Sequence, residues 1–128
     1  MPGYHALIDE TLTVLDDLIA FPTVALTPNV DLIRYVEEQL GPLCSHLVLT
    51  HDETRSRANL FATIGPNVDG GTVLSGHSDV VAVDDTDWAT PPFKATRREG
   101  RIYGRGTADM KGFIACVLAL APGYAVLD

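Results

Sequence analysis

Two short segments of this chain carry the residue types of a metal centre. Ser75-Gly76-His77-Ser78-Asp79 places an imidazole and a carboxylate two positions apart. Gly104-Arg105-Gly106-Thr107-Ala108-Asp109 brings a second carboxylate 32 positions beyond His77. A neutral imidazole binds zinc through one ring nitrogen. A carboxylate that accepts the other ring N–H fixes the tautomer and raises the basicity of the ligand. His77 and Asp109 are thus candidate metal ligands, with Asp79 as the group that orients His77. They are parts of a site, because a hydrolytic two-metal centre needs more ligands and a general base. Each motif taken singly has a plainer reading. His77 could be a satisfied core histidine beside a turn aspartate, and Asp109 could cap a helix. Their joint presence favours the metal centre, and a carboxylate with two oxygens can both cap and ligate.

The surrounding sequence indicates which elements must position these groups. Thr72–Ser75 is a short apolar run after the turn signal Asp69-Gly70-Gly71 and reads as a buried parallel strand. Gly76 and His77 then fall at its C-terminal end, where open α/β sheets place their ligands. In an extended segment His77 and Asp79 share a face. Gly104 and Gly106 around Arg105 suggest close backbone approach or a positive φ. The run Lys111–Ala121 reads as a helix that is apolar all round and therefore buried on several sides, Cys116 included. Asp109 would stand at its start, where the macrodipole favours an anion, and Pro122-Gly123 would end it. Val80–Phe93 has no clean period, three aspartates and two prolines, and reads as a loop over the site pinned by Trp88 and Phe93. A hairpin follows, turning near Glu99-Gly100.

Upstream, Ile8, Leu12, Leu15 and Ile19 mark one face of a helix that Phe21-Pro22 ends. Leu32, Ile33, Val36 and Leu40 mark a second, with Asn29 as its candidate cap and Gly41-Pro42 as its stop. Leu47–Thr50 and Asn59–Ile64 read as strands. The order predicts an α/β chain: a mixed sheet with helices on both faces, one unit over residues 1–128 without repeat or linker.

Composition narrows the function. The chain has 128 residues, 46% of them apolar and 20% charged, as in ordinary globular domains. A net charge of −8, and no basic patch with interleaved aromatics, argue against a nucleic-acid partner. Cys44 and Cys116 form no C-x-x-C pair and read as free thiols of a reducing compartment. No secretory pattern opens the chain, and the apolar stretch Gly112–Ala121 is far shorter than the ~18 residues of a membrane span. The expectation is a cytoplasmic protein with no membrane partner. His5, His46 and His51 read as surface residues.

The segments SGHSDVVAVDDTDWATPPF and EGRIYGRGTADMKG, with their spacing, closely resemble the zinc-dependent aminoacylase and carboxypeptidase family. The resemblance spans the whole chain and is strongest toward the acetylornithine deacetylases, then the succinyl-diaminopimelate desuccinylases. It implies the N-terminal portion of a zinc-peptidase-like catalytic domain that hydrolyses small N-acyl amino acids at two metals. By resemblance His77 ligates one metal, Asp79 is the catalytic residue that orients it, and Asp109 bridges both. Zinc is the implied metal, with cobalt or manganese as alternatives. The resemblance further implies a cis Asp109–Met110 peptide and a homodimer in the full-length protein. The family's Glu-Glu pair, further acidic ligand and late histidine have no counterpart. Glu37-Glu38 precedes His77 and reads as an exposed helix face. Ala82 stands where the family often has proline. The expectation is an incomplete chain, inactive alone. The competing reading, of a different class, is a non-catalytic module that binds a partner through an open sheet edge.

Overall fold

Apolar residues recur at helical spacing twice before Gly41, and each run folds as a helix. In the computed structural model, which describes residues 3–127, α1 spans Tyr4–Ala20 and α2 spans Val30–Leu40. The buried side of α1 is Val14, Leu15, Leu18 and Ile19, so its stripe is rotated from the expected one and Ile8 stays exposed. α2 buries Leu32, Ile33, Val36 and Leu40, as its spacing requires. α3 (Gly112–Tyr124) packs along α1, and Ala115, Leu118 and Ala121 join the same core. Leu18 and Ile19 have no exposed surface, and burial of each contributes roughly 1.5–3 kcal/mol.

Strands β1 (His46–His51) and β2 (Ala58–Thr63) pair antiparallel, from His46 opposite Thr63 to His51 opposite Ala58. Period-two alternation turns Leu47, Leu49, Leu60 and Ala62 toward the body, while the opposed pair Val48 and Phe61 faces outward. β3 (Thr96–Arg98) and β4 (Arg101–Tyr103) form the expected hairpin. Its two turn residues, Glu99 at φ 53° and Gly100 at φ 72°, have the left-handed dihedrals of a type I′ turn, which matches the strand twist.

The α/β class is as expected, and the sheet consists of two separate antiparallel pairs. Thr72–Ser75, expected as a buried strand, joins neither of them, and Val73 and Leu74 are exposed. An apolar run becomes a strand only where its backbone finds a ladder partner, and neither hairpin pairs with it. This part of the chain meets a neighbour one step later, through a parallel bridge between Val24 and Val80. Two further expectations are corrected. α3 continues past Pro122-Gly123 to Tyr124, because a proline in the last turn removes only a terminal bond and Ala125 N–H still reaches Ala121 O. Cys116 is exposed, because α3 is apolar all round but covered on only part of its circumference. Among the described residues no helix is long and apolar enough to cross a membrane.

Candidate metal centre

The His77 motif is held by the turn that leaves α1. Thr23 is buried, and its Oγ1 donates to Ser78 O at 2.6 Å. Val80 N–H donates to Thr23 O, and Ala25 N–H to Val80 O, both at 2.9 Å. Asn29 secures the same segment. Its side chain pairs with both backbone groups of Ala58, at 2.8 Å and 3.0 Å, and Nδ2 donates to Ser78 Oγ at 3.2 Å. Asn29 therefore occupies the N-cap position of α2 but makes no side-chain cap bond, since its amide is engaged elsewhere. With Ser78 fixed on both sides, His77 and Asp79 project on the solvent side, 49% and 59% exposed.

The Asp109 motif reaches the same place through its glycines. Gly106 adopts φ 82° and lies so close to Val80 that a Cβ there would fall 2.5 Å from Val80 Cγ1. The backbone of the second motif thus sits directly against the residue that follows Asp79. Thr107–Lys111 makes a wide turn in which Asp109 (φ −129°, ψ 92°) and Met110 (φ −140°, ψ 31°) are not helical. The Asp109–Met110 peptide is cis. Asp109 does not cap a helix: α3 starts at Gly112, and the Asp109 side chain, 85% exposed, is turned toward His77. Met110 folds back so that its sulfur accepts from His77 N–H at 3.4 Å.

The result is an imidazole held between two carboxylates. His77 Nε2 lies 3.0 Å from Asp109 Oδ1. Nδ1 lies 3.1 Å from Asp79 Oδ1 and 3.1 Å from the Asp79 carbonyl oxygen. Desolvation pulls the imidazole pKa down, but hydrogen bonds to the Asp79 carbonyl and the Asp109 carboxylate, with both negative charges, outweigh it and hold the pKa above 6.5. The donors fit a metal. Two ligand bonds of ~2 Å at a tetrahedral angle place their donor atoms ~3.3 Å apart, close to the observed Nε2 to Oδ1 separation. Asp79 stands where it orients the ring through Nδ1. Two ligands do not complete a site, and no group of three or more His, Cys, Asp or Glu suited to a metal occurs among the described residues.

Residues 73–125, which contain all three groups, match the peptidase family M20/M25/M40. Acetylornithine deacetylase of Proteus mirabilis (strain HI4320) is 50% identical over 108 residues, 79% of this chain and 28% of that protein. The proteins of the same name from Shigella sonnei (strain Ss046) and Pasteurella multocida (strain Pm70) are 40% and 39% identical, over 79% and 87% of this chain. The chain spans about 30% of the length of these relatives. Human carnosine dipeptidase 1 shares the fold, with a TM-score of 0.73 over 94% of this chain and 30% of that one, at 22% identity.

Beside this centre, the loop Val80–Phe93 is anchored at Trp88, as expected, and at Pro92. The Arg105 guanidinium lies 5.0 Å from the centre of the Trp88 ring, and Arg105 N–H donates to Pro92 O at 2.6 Å. Asp84 caps the short turn Asp85–Asp87 by accepting from Thr86 N–H. Glu38 is exposed on α2 and has no part in the site. His51 is not a surface residue. It is half-buried, its Nδ1 is buried without a hydrogen-bond partner, and it lines a cavity of about 480 Å³ with Asp52, Arg57 and Asp79. Sequence reasoning missed Thr23 and Lys111. Thr23 carries no pattern. Lys111 carried a usable one, a lone charge opening an apolar run. It is fully buried, Nζ donates to Phe21 O at 2.6 Å, and desolvation lowers its pKa to about 8.

Proposed function

We propose that residues 1–128 form the N-terminal portion of the catalytic domain of a metal-dependent amidohydrolase. Its substrate is a small N-acyl amino acid, and N-acetylornithine is the best-supported candidate. The observation that carries this reading is the His77 imidazole set between Asp79 and Asp109. Identity of 39–50% to proteins named acetylornithine deacetylase supports the substrate class.

In this reading His77 Nε2 and Asp109 hold zinc, and cobalt or manganese also suit nitrogen and oxygen donors. When bound, the ions polarise the amide carbonyl and acidify a water near neutral pH. Asp79 accepts the Nδ1 proton, so that the Nε2 lone pair faces Asp109. Metal binding must then displace the proton that the two carboxylates stabilise on His77, which makes affinity rise with pH. The remaining ligands and the general base belong to parts of the domain beyond these residues, as does the contact that would make a homodimer.

The test is a chimera in which this chain replaces the aligned segment of the Proteus mirabilis acetylornithine deacetylase. We expect metal-dependent hydrolysis of N-acetylornithine, abolished by His77→Ala and by Asp109→Ala. A folded, metal-loaded chimera inactive on both N-acetylornithine and N-succinyl-diaminopimelate would overturn the proposal.

A further inference from the structure

Lys111 is the only charged side chain fully buried among the described residues. A buried ammonium is costly unless its donors are met. Here Nζ donates to the carbonyl oxygen of Phe21, at 2.6 Å. Phe21 is the C-cap of α1, the end of a helix that favours a cation. Two residues further, Thr23 bonds Ser78 and Val80 on either side of Asp79. The two motifs are therefore tied to one short turn. His77 and Asp79 reach it through Thr23, and Asp109 reaches it through Lys111.

We propose that Lys111 is a positioning residue that sets His77 and Asp109 at the separation a metal needs, acting through Phe21 and Thr23. The proposal rests on the reading of His77 and Asp109 as metal ligands. An apolar side chain of the same length would fill the space. It would leave the Phe21 carbonyl with only the local Thr23 N–H, at 2.9 Å, and would remove the hydrogen bond that ties the Asp109 segment to the turn. Groups that orient ligands in this way change metal affinity by roughly 10–100-fold when removed.

The test is the zinc affinity of the 128-residue chain, read by competition with a chromophoric chelator, with amide NMR spectra reporting the fold. The variants are His77→Ala, Lys111→Met, Thr23→Val and, as a control for lost core packing, Leu118→Ala. We expect His77→Ala to abolish binding. Lys111→Met and Thr23→Val should each weaken it about tenfold or more with a native-like spectrum. Leu118→Ala should destabilise the chain and leave the zinc affinity of its folded form unchanged. Zinc binding that survives His77→Ala removes the metal reading itself, and no binding by the unaltered chain overturns the positioning role, which requires the braced pair to hold zinc without the rest of the domain. Binding lost in His77→Ala but unchanged in Lys111→Met overturns the positioning role alone. If Lys111→Met does not fold, Thr23→Val decides, and unchanged affinity there overturns the brace. An equal loss of affinity in Leu118→Ala reduces Lys111 to a general packing role and also overturns the proposal.

Discussion

Gly106→Ala should be among the most damaging single-methyl additions in this chain. Two separate costs meet there. Gly106 has φ 82°, and a left-handed residue with a Cβ costs ~1–2 kcal/mol. The added Cβ would also lie 2.5 Å from Val80 Cγ1, where carbon atoms prefer ~3.5–4.0 Å, so one of the two must move by about 1 Å. Val80 has little room to retreat: it is 3% exposed, and its N–H and C=O are bonded to Thr23 and Ala25. Overpacking of this kind adds ~1–3 kcal/mol, so the total is roughly 2–5 kcal/mol, a large share of a typical domain's ~5–15. Gly100→Ala is the matched control, with φ 72° and open space around the new Cβ, so it should cost only the backbone share of ~1–2 kcal/mol. Urea denaturation followed by circular dichroism measures both. Val80→Ala should partly rescue Gly106→Ala, giving a coupling of ~1–2 kcal/mol in the double-mutant cycle. Equal destabilisation by Gly106→Ala and Gly100→Ala, or strict additivity with Val80→Ala, would refute the idea that the two motifs abut here.

Three further outcomes follow from the same geometry. In the metal-free chain His77 should titrate above 6.5, since the Asp79 and Asp109 contacts outweigh desolvation. The stabilisation is then full below about pH 6.5 and lost as pH rises through the folded-state value. NMR titration of the His77 ring should show the midpoint falling in Asp109→Asn, and an unmoved midpoint would contradict the contact. Lys111 behaves oppositely. Its folded pKa of about 8 lies below the 10.5 of the exposed amine, so the unfolded chain binds the extra proton between these values and stability rises with pH in that window. Urea midpoints should therefore climb from pH 8 toward 10 and flatten in Lys111→Met; above pH 10 the raised pKa of Tyr35, caused by desolvation and its bond to Asp17, opposes the climb. The 128-residue chain by itself, with or without zinc, should not hydrolyse N-acetylornithine or N-succinyl-diaminopimelate above background. Turnover that is lost in His77→Ala would show a complete site within these residues.

The candidate centre was legible in one dimension because its chemistry is written in residue type. An imidazole two positions from a carboxylate, and a carboxylate after Gly-Arg-Gly, state their possible roles without coordinates. The two amphipathic helices, the strands β1 and β2, the β3–β4 hairpin and the Trp88 loop anchor were legible for a related reason. Periodicity, glycine at a left-handed turn and a lone tryptophan in a polar loop are local properties. What local pattern could not supply is whether a partner lies alongside. Thr72–Ser75 has the composition of a buried strand yet pairs with neither hairpin, and Cys116 lies on a helix face that nothing covers. Asn29 has the right type and place for a cap, but Ala58 and Ser78 compete for the same amide and take it. The bracing of the centre is the clearest case. Thr23, Val80 and the Gly106–Lys111 segment are far apart in sequence, and no local pattern states that they meet; they touch only because the fold brings them within hydrogen-bond or van der Waals reach. Ligand identity is a property of side-chain chemistry and can be read along the chain. Ligand separation depends on distances between segments, and only tertiary packing sets those.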